Sequence, residues 1–464
     1  MLQKRLVLNT ALLTASSLLM SGIGMAFQVW LVGRIGAAGI GLYQLTLSVA
    51  NLGATLAVSG IRFATTRLVS EELGAENPEG IRAAMRRCLG YGAFFGTAAL
   101  LIVYFLAEPL GYGWIRDGRT VLSLQLAAFS MPCIALCSAL SGYFTACGRV
   151  WKPTLIHLIE QLLGIALVAW FLSLTPAGDI EKSCAAVTAG RLAADAVSLG
   201  LMLLAYGFDR SAHYEPGGGS GALTGRMLRI ALPLAVSAYA RSALTTFQHL
   251  LVPRGLKAAG YSADRALAGY GIVQGMVLPI VLFPSCLLAA LAELIVPELT
   301  EEQVRGDGAK IRATVRTLLT DSALFSLLVA AFLFACAEPL AWYIYKSSQA
   351  GQYIRILAPL VPIMYTDMAV DGCLKGLGQQ VWSMGINILD ALLGLLLVWQ
   401  LLPKFALTGF LVMVYVTEIF NFALSWFRLR RTLLSLPGGG RRPCAGSGRS
   451  AYTAAASETR PQRP

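Results

Sequence analysis

A few ionisable side chains lie inside long apolar stretches of this sequence, where they could bind or carry charge. Arg241 is one of them, and Ser237, Tyr239, Ser242 and Thr245 surround it. An ionised group in an apolar medium is costly, so such residues mark functional sites or buried pairs. The polar neighbours favour a wet face on which Arg241 and Tyr239 bind an anionic cargo. The alternative is that Arg241 pairs with a carboxylate on a neighbouring helix.

Two further groups of charged residues could contact a cargo. Arg62 lies near the end of an apolar stretch, where it could face a cavity or extend to the membrane surface. Asp367, Asp371 and Lys375 follow one another at intervals of four residues, which places them on one face of a helix. Asp367 and Asp371 are candidate binding residues, and a gate or a salt bridge is the alternative.

Carboxylates deep in two other stretches could couple transport to an ion. Glu160 and Asp390 are both far from the ends of their stretches. A carboxylate there can take up and release a proton, because loss of water disfavours its charged form. Hydrogen bonding between helices would be the structural alternative. Arg191 and Asp195 are four residues apart, so we expect them to form a structural ion pair within one helix.

Signatures of enzymes, metal sites and nucleic-acid binding are missing. The sequence has no Walker loop, no G-x-S-x-G and no H-E-x-x-H motif, and no cofactor is expected. Its nine cysteines form no C-x-x-C pair, so neither a metal site nor a disulfide framework is expected. The net charge of +12 is spread between apolar stretches and forms no basic patch for nucleic acid.

Composition identifies lipid as the solvent of most of the chain. Of 464 residues, 56% are hydrophobic and only 13% are charged. A membrane helix needs about 20 apolar residues to cross the hydrocarbon core. About twelve stretches are long enough, which predicts an all-α, multi-pass membrane protein. These stretches are 9–32, 40–64, 86–107, 120–147, 153–175, 184–208, 228–252, 267–296, 316–337, 350–375, 380–402 and 405–430.

An internal repeat divides these helices into two sets. At an offset of 230 residues, Glu71-Glu72 matches Glu301-Glu302, and Ala107-Glu108-Pro109-Leu110 matches Ala337-Glu338-Pro339-Leu340. Glu160 matches Asp390 at the same offset. Matches of charged residues and prolines at one constant offset are not explained by the shared hydrophobicity of membrane helices. The sequence therefore predicts two pseudo-symmetric six-helix bundles around a central cavity, with the paired prolines in turns.

The repeat and the charges set the domain boundaries and the orientation. We expect an N-terminal lobe at 1–208, a linker at 209–227, a C-terminal lobe at 228–431 and a disordered basic tail at 432–464. Lys and Arg are more frequent on the side that carries the ends of the chain. This bias predicts a cell membrane protein with both termini and the linker in the cytoplasm.

Several short motifs resemble a known transporter family. They are Phe63-Ala-Thr-Thr-Arg-Leu-Val-Ser-Glu-Glu72, Ile295-Val-Pro-Glu-Leu-Thr-Glu301 and Leu374-Lys-Gly-Leu-Gly-Gln379. Together they resemble the stage V sporulation protein B and polysaccharide-exporter branch of the multidrug/oligosaccharidyl-lipid/polysaccharide flippase superfamily. The resemblance implies alternating access and an undecaprenyl-linked saccharide, such as a peptidoglycan precursor for the spore cortex. A cargo with a pyrophosphate favours Arg241 and Arg62 as anchors.

Three functions remain open from the sequence. The first is a flippase for lipid-linked saccharides, with membrane lipids and its lipid-linked cargo as partners. The second is a cation-coupled multidrug exporter of the same architecture, for which Glu160 and Asp390 would supply negative charge. The third is a scaffold that recruits wall-synthesis enzymes, although the short polar loops offer it little surface.

Overall fold

A computed structural model describes residues 2–75, 77–176, 178–211 and 223–436, and these residues are helical with short connections. Within these described residues, twelve helices or runs of consecutive helical segments are long enough to cross a membrane, as the apolar stretches predicted. Helices suit lipid because every backbone N–H and C=O group finds its partner within the helix. They are α1 (2–35), α2 (37–58, continued by Ile61–Gly74), α3 (Pro78–Glu108), α4 (Val121–Ala146), α5 (Trp151–Ser173), α6 (Ile180–Ser211), α7 (Leu223–Ala258), α8 (Ala263–Gly271, Leu278–Leu282 and Ser285–Arg305), α9 (Gly308–Tyr345), α10 (Ser348–Leu357 and Val361–Gly376), α11 (380–405) and α12 (407–435).

Single residues with positive φ separate some of the helices. Gly36 has φ 70° and divides α1 from α2, where the sequence suggested a loop. Ala406 has φ 50° and divides α11 from α12 in the same way. Within α2, Ser59 and Gly60 have φ 46° and 70°, so the crossing bends before Ile61. At Gly36 and Ala406, two membrane crossings therefore follow each other with almost no loop between them.

The two lobes repeat each other's contacts. Thr66 Oγ1 donates to the carbonyl of Gly142 at 3.1 Å, and Thr300 Oγ1 donates to the carbonyl of Gly376 at 3.0 Å. Asn77 caps the start of α3 and Asp307 caps the start of α9, 230 residues later. The duplicated architecture predicted from the sequence repeat is confirmed by these matched contacts.

Other boundaries differ from the prediction. The two paired prolines do not form turns. A π-helical segment, Pro109–Ile115, extends α3, and Pro339 lies inside α9. The linker predicted at 209–227 is shorter, because α6 continues to Ser211 and α7 begins at Leu223. Its Gly-rich centre, 212–222, lies outside the described residues. Likewise α12 continues to Ser435, and 437–464 lie outside the described residues.

With twelve crossings, the start of α1 and the end of α12 lie on the same side of the membrane. This side is called the terminal side below, and the opposite side is called the far side. The lobes meet on the far side, where α2 packs against α8. A hydrophobic core joins the two lobes there and includes Ile40, Leu42, Leu267 and Val273. This packing leaves a cavity between the lobes near the middle of the membrane.

Candidate functional site

The central cavity lies between the lobes and has a volume of about 470 Å³. The N-terminal lobe contributes α2, and the C-terminal lobe contributes mainly α7. Two residues of α11, Met384 and Ile388, also line the cavity, as does Gln274 from the π-helical segment Ile272–Val277 of α8. Four polar side chains of α2 line it at helical spacing: Gln44, Ser48, Asn51 and Thr55. Because this stripe recurs every three or four residues, one face of α2 is polar while the rest is apolar.

Arg241 lies opposite this stripe, near the middle of α7. Among the described residues that line the cavity, it is the only arginine, lysine or carboxylate. Its side chain is exposed to the cavity, and no acid in the described part of the chain is within ion-pair distance of it. The alternative that Arg241 pairs with a carboxylate of a neighbouring helix is therefore not what the structure shows. An unpaired guanidinium at this depth is available to an anion.

Hydrogen bonds across the lobe interface fix the walls of this cavity. Thr246 Oγ1 of α7 donates to the carbonyl of Ser48 at 3.1 Å. Thr55 Oγ1 of α2 donates to Ser242 Oγ at 3.3 Å. Tyr239, which the sequence suggested as a binding residue, donates instead to the carbonyl of Leu56 at 3.4 Å and does not line the cavity. Its hydroxyl therefore hydrogen-bonds a backbone carbonyl just before the bend in α2.

Arg62 faces a different cavity from Arg241. It lies beyond the bend at Ser59 and Gly60 and lines a space of about 200 Å³ inside the N-terminal lobe. Glu160 and Asp195 line the same space. Beyond the bend α2 still packs against α7, where Ile61 and Ala231 lie in one hydrophobic cluster, but Arg62 lines the space inside the N-terminal lobe and not the central cavity. The two arginines therefore line different cavities in this structure.

The N-terminal lobe contains a cluster of titratable side chains. Glu160 Oε2 is 3.1 Å from His157 Nδ1 and accepts a hydrogen bond from Ser198 Oγ. Arg191 and Asp195 line an adjoining space of about 350 Å³ together with Glu160.

The direct ion pair that the spacing of Arg191 and Asp195 predicted is absent. No nitrogen of Arg191 is within 4.0 Å of the Asp195 carboxylate, although both residues belong to the described part of α6. Tyr43 of α2 lines the same space as Arg191 and Asp195. The helix brings the two side chains to one face and into one space, without a direct contact between their charged atoms. The prediction is correct about their neighbourhood and wrong about their contact.

Asp367, Asp371 and Asp390 of the C-terminal lobe are not among the described residues that line the central cavity. Asp367 accepts a hydrogen bond from Asn421 Nδ2 at 3.0 Å, and Asp371 forms an ion pair with Lys375 at 2.6 Å. The salt-bridge alternative therefore describes Asp371 better than a cargo contact does. One oxygen of Asp390 is buried without a hydrogen-bond partner in the described residues. Asp390 and Asp367 interact electrostatically with Glu418 of α12.

Sequence reasoning missed most of the polar residues that line the central cavity. Gln44, Ser48, Asn51, Thr55 and Gln274 carry no charge, so a search for buried ions passes over them. The helical spacing of the polar residues on α2 was the sequence signal that could have identified them. His249 also lines the cavity, and its Nδ1 is 3.1 Å from the Tyr270 hydroxyl.

The far side of the cavity is closed by close helix packing. A Cβ added to Gly41 would lie 2.1 Å from the carbonyl oxygen of Leu267, and one added to Gly271 would lie 2.1 Å from that of Ala37. Only glycine permits such an approach of two backbones. The helices α2 and α8 therefore touch without side chains between them.

Charged residues tie the lobes together beyond this helix contact. Arg119 donates to Asp117 of its own lobe at 2.7 Å and to Asp264 of the other lobe at 2.8 Å. Burial raises the pKa of Asp117, but hydrogen bonds and charge from Arg119 lower it more, so the net pKa is below its ordinary value. Asp117 therefore stays ionised at neutral pH and holds Arg119 in place. This contribution would be lost as the pH falls through the lowered pKa.

Comparisons with known proteins agree with this architecture. A model of the MatE family matches residues 13–170 and 256–399. Stage V sporulation protein B of Bacillus subtilis is 22% identical over 408 residues, which cover 86% of this chain and 79% of that protein. A probable multidrug resistance protein NorM of Acinetobacter baylyi is 32% identical over 134 residues, which cover 28% of each chain.

Solved structures of transporters share the fold. An inward-facing multidrug resistance MATE family transporter of the MOP superfamily aligns with a TM-score of 0.67 at 14% identity, over 90% of this chain and 96% of its own. A second is a MOP superfamily transporter from Pyrococcus furiosus, for which reverse polarity of the binding pocket suggests a different function. It aligns with a TM-score of 0.65 at 12% identity, over 93% of this chain and 96% of its own.

Proposed function

Because this chain belongs to the MatE family and has the fold of a MOP superfamily membrane transporter, we propose that it moves an anionic, lipid-linked saccharide across the cytoplasmic membrane. The observation that carries this proposal is the unpaired Arg241 in the central cavity. A guanidinium forms two parallel hydrogen bonds with phosphate oxygens, and a pyrophosphate offers several such oxygens.

The polar stripe of α2 supports a saccharide as the rest of the cargo. The Asn51 amide can donate and accept hydrogen bonds, and the hydroxyls of Ser48 and Thr55, which already donate within the protein, can accept them from sugar hydroxyls. The similarity to stage V sporulation protein B extends over most of both chains and favours a role in envelope synthesis during sporulation. Transport would follow alternating access, with the lobes rocking about the cavity. The terminal side would then be cytoplasmic.

The alternative is drug export, which the similarity to a probable multidrug resistance protein NorM suggests. Cationic drugs are the cargo class that differs most from an anionic lipid. A binding site for cations would need a carboxylate in the central cavity. None of the lining residues that the structure describes is acidic, and Glu160, Asp367 and Asp390 lie elsewhere. The charge of the cavity therefore favours an anion over a cationic drug.

A lipid-exposure assay tests the proposal. Purified protein in proteoliposomes would receive a fluorescent polyprenyl-pyrophosphate saccharide, and appearance of the sugar at the opposite leaflet would be followed. We expect protein-dependent exposure of this lipid and no accelerated uptake of a cationic dye. Dye uptake without lipid exposure would replace the proposal with the exporter.

Glu160 is proposed to couple transport to a cation gradient. Its neighbours His157 and Ser198 place it in a polar network that a proton or cation can enter. We expect Glu160→Gln to remove the acceleration by an imposed proton or sodium gradient, while exposure without a gradient continues. The measurement compares exposure rates with and without each gradient. Equal acceleration in Glu160→Gln and wild type would show that Glu160 only joins helices.

A further inference from the structure

A second large cavity lies on the lipid side of α7, away from the transport path. It is an apolar cleft of about 670 Å³. The residues of α7 that line it, such as Leu251 and Arg254, are on the face opposite Arg241 and Thr245. The transport mechanism described above uses none of them. Its walls include Trp114, Phe247, Leu251, Arg254, Leu396 and Trp399.

In the part of the chain that the structure describes, Arg254 is the one charged residue that lines this cleft. It is half-buried, and it has no ion pair or hydrogen bond from its side chain within the described residues. It follows Arg241 by thirteen residues, so it lies about 20 Å nearer the far side along the helix. That distance from the middle of the membrane brings Arg254 to the level of the lipid headgroups.

Aromatic residues mark the same level of the membrane. Trp114 and Trp399 line the cleft, with 43% and 66% of their surfaces exposed. Tryptophan concentrates where the hydrocarbon core meets the headgroups. The cleft therefore has an apolar interior below and a free cation at its interfacial end.

Both lobes build this cleft. Trp114 belongs to the segment after α3, and its ring lies 5.2 Å from that of Phe247 on α7. The same segment is tied to α7 by Lys257 Nζ, which donates to the carbonyl of Arg116 at 3.1 Å. The other wall comes from α11, through Leu396 and Trp399. The cleft is complete only while the far side is closed.

We propose that this cleft binds an anionic phospholipid of the far leaflet, with its phosphate on Arg254 and one acyl chain between α7 and α11. No acid lines the cleft, so a lipid with net negative charge is favoured over a zwitterionic lipid. The lipid bridges the two lobes and binds only their closed far-side arrangement. It therefore shifts the population toward the state that is closed on the far side.

Quenching of tryptophan fluorescence by brominated acyl chains tests the site. Protein would be reconstituted with brominated phosphatidylglycerol or brominated phosphatidylcholine at equal mole fractions. We expect about fivefold tighter binding of the anionic lipid at the quenching site, as one interfacial arginine typically provides. Arg254→Gln should remove this preference and Arg254→Lys should retain most of it. Arg265→Gln, at an exposed far-side arginine outside the cleft, should leave it unchanged.

Two variants show whether the quenched tryptophans are those of the cleft. The double variant Trp114→Phe with Trp399→Phe should lose the quenching that depends on anionic lipid, although the other six of the chain's eight tryptophans remain. Ala258→Phe should fill the cleft and weaken binding of both lipids. Equal quenching by the two lipids in wild type would overturn the proposal, as would an anionic preference that survives Arg254→Gln. This test involves no cargo, so it stands or falls separately from the proposed transport.

Discussion

Arg241→Glu is expected to abolish exposure of the lipid-linked saccharide in proteoliposomes. A hydrogen bond to a charged group contributes about 1.5–3 kcal/mol, and about 1.4 kcal/mol corresponds to a factor of ten. Losing the guanidinium in Arg241→Ala should therefore weaken cargo binding about 10- to 100-fold. The glutamate goes further, because it repels the pyrophosphate from a cavity that has no other fixed charge.

Matched variants separate this electrostatic effect from a loss of folding. Arg241→Lys keeps the charge and should retain part of the activity, while Arg265→Glu reverses an exposed charge outside the cavity and should have little effect. Exposure rates are compared at equal amounts of reconstituted protein. If Arg241→Glu transports the saccharide at the wild-type rate, Arg241 does not contact the cargo.

Gly271→Ala is expected to hold the far side of the transporter open and to stop turnover. The added Cβ would lie 2.1 Å from the carbonyl oxygen of Ala37, so α2 and α8 could not approach to their observed distance. Overpacking of this kind costs about 1–3 kcal/mol, which changes a conformational population about 5- to 150-fold. Gly41→Ala should have the same effect, because it meets the carbonyl of Leu267 from the other helix.

Accessibility of the central cavity measures this second effect. Thr245 lines the cavity, so a cysteine introduced there by Thr245→Cys reports on access to it. An impermeant thiol reagent added from the far side should label this cysteine faster when Gly271→Ala is also present. Gly33→Ala is the matched control, because a Cβ at Gly33 has no atom within 4 Å. Normal transport and unchanged labelling in Gly271→Ala would contradict the account of far-side closure.

The architecture of this protein follows from its sequence because lipid leaves few choices. Apolar stretches of sufficient length must be helices, and the repeated Glu71-Glu72 and Glu301-Glu302 motifs define the duplication. Boundaries were harder to predict. Proline usually ends a helix, yet Pro109 begins a π-helical extension and Pro339 lies inside α9.

The central cavity was predictable only in part. Arg241 was found because an isolated charge stands out in an apolar stretch. Arg62, Tyr239, Asp367 and Asp371 met the same criterion but lie elsewhere, since depth in the membrane does not specify which way a side chain faces. The bend at Ser59 and Gly60 decides the position of Arg62. Helical periodicity does not continue across a bend, so the face on which Arg62 lies could not be read from the residues before it.

Uncharged residues form the rest of the cavity, and they were not selected from the sequence although they line it. Ser48, Asn51 and Thr55 are common hydrogen-bonding residues within membrane helices, so each is unremarkable alone. Only their shared face on α2, and its position opposite α7, makes them a binding surface. That position depends on how the two lobes meet, which a single sequence does not specify.

Direct binding to the purified protein tests the central claim that the cavity selects anions through Arg241. Native mass spectrometry would compare a polyprenyl-pyrophosphate saccharide with a lipophilic cationic dye, each with wild type and Arg241→Ala. The account predicts that wild type binds the saccharide lipid, that Arg241→Ala loses about 10- to 100-fold in affinity, and that the dye binds neither protein tightly. Tight binding of the dye, with saccharide binding absent or independent of Arg241, would contradict it.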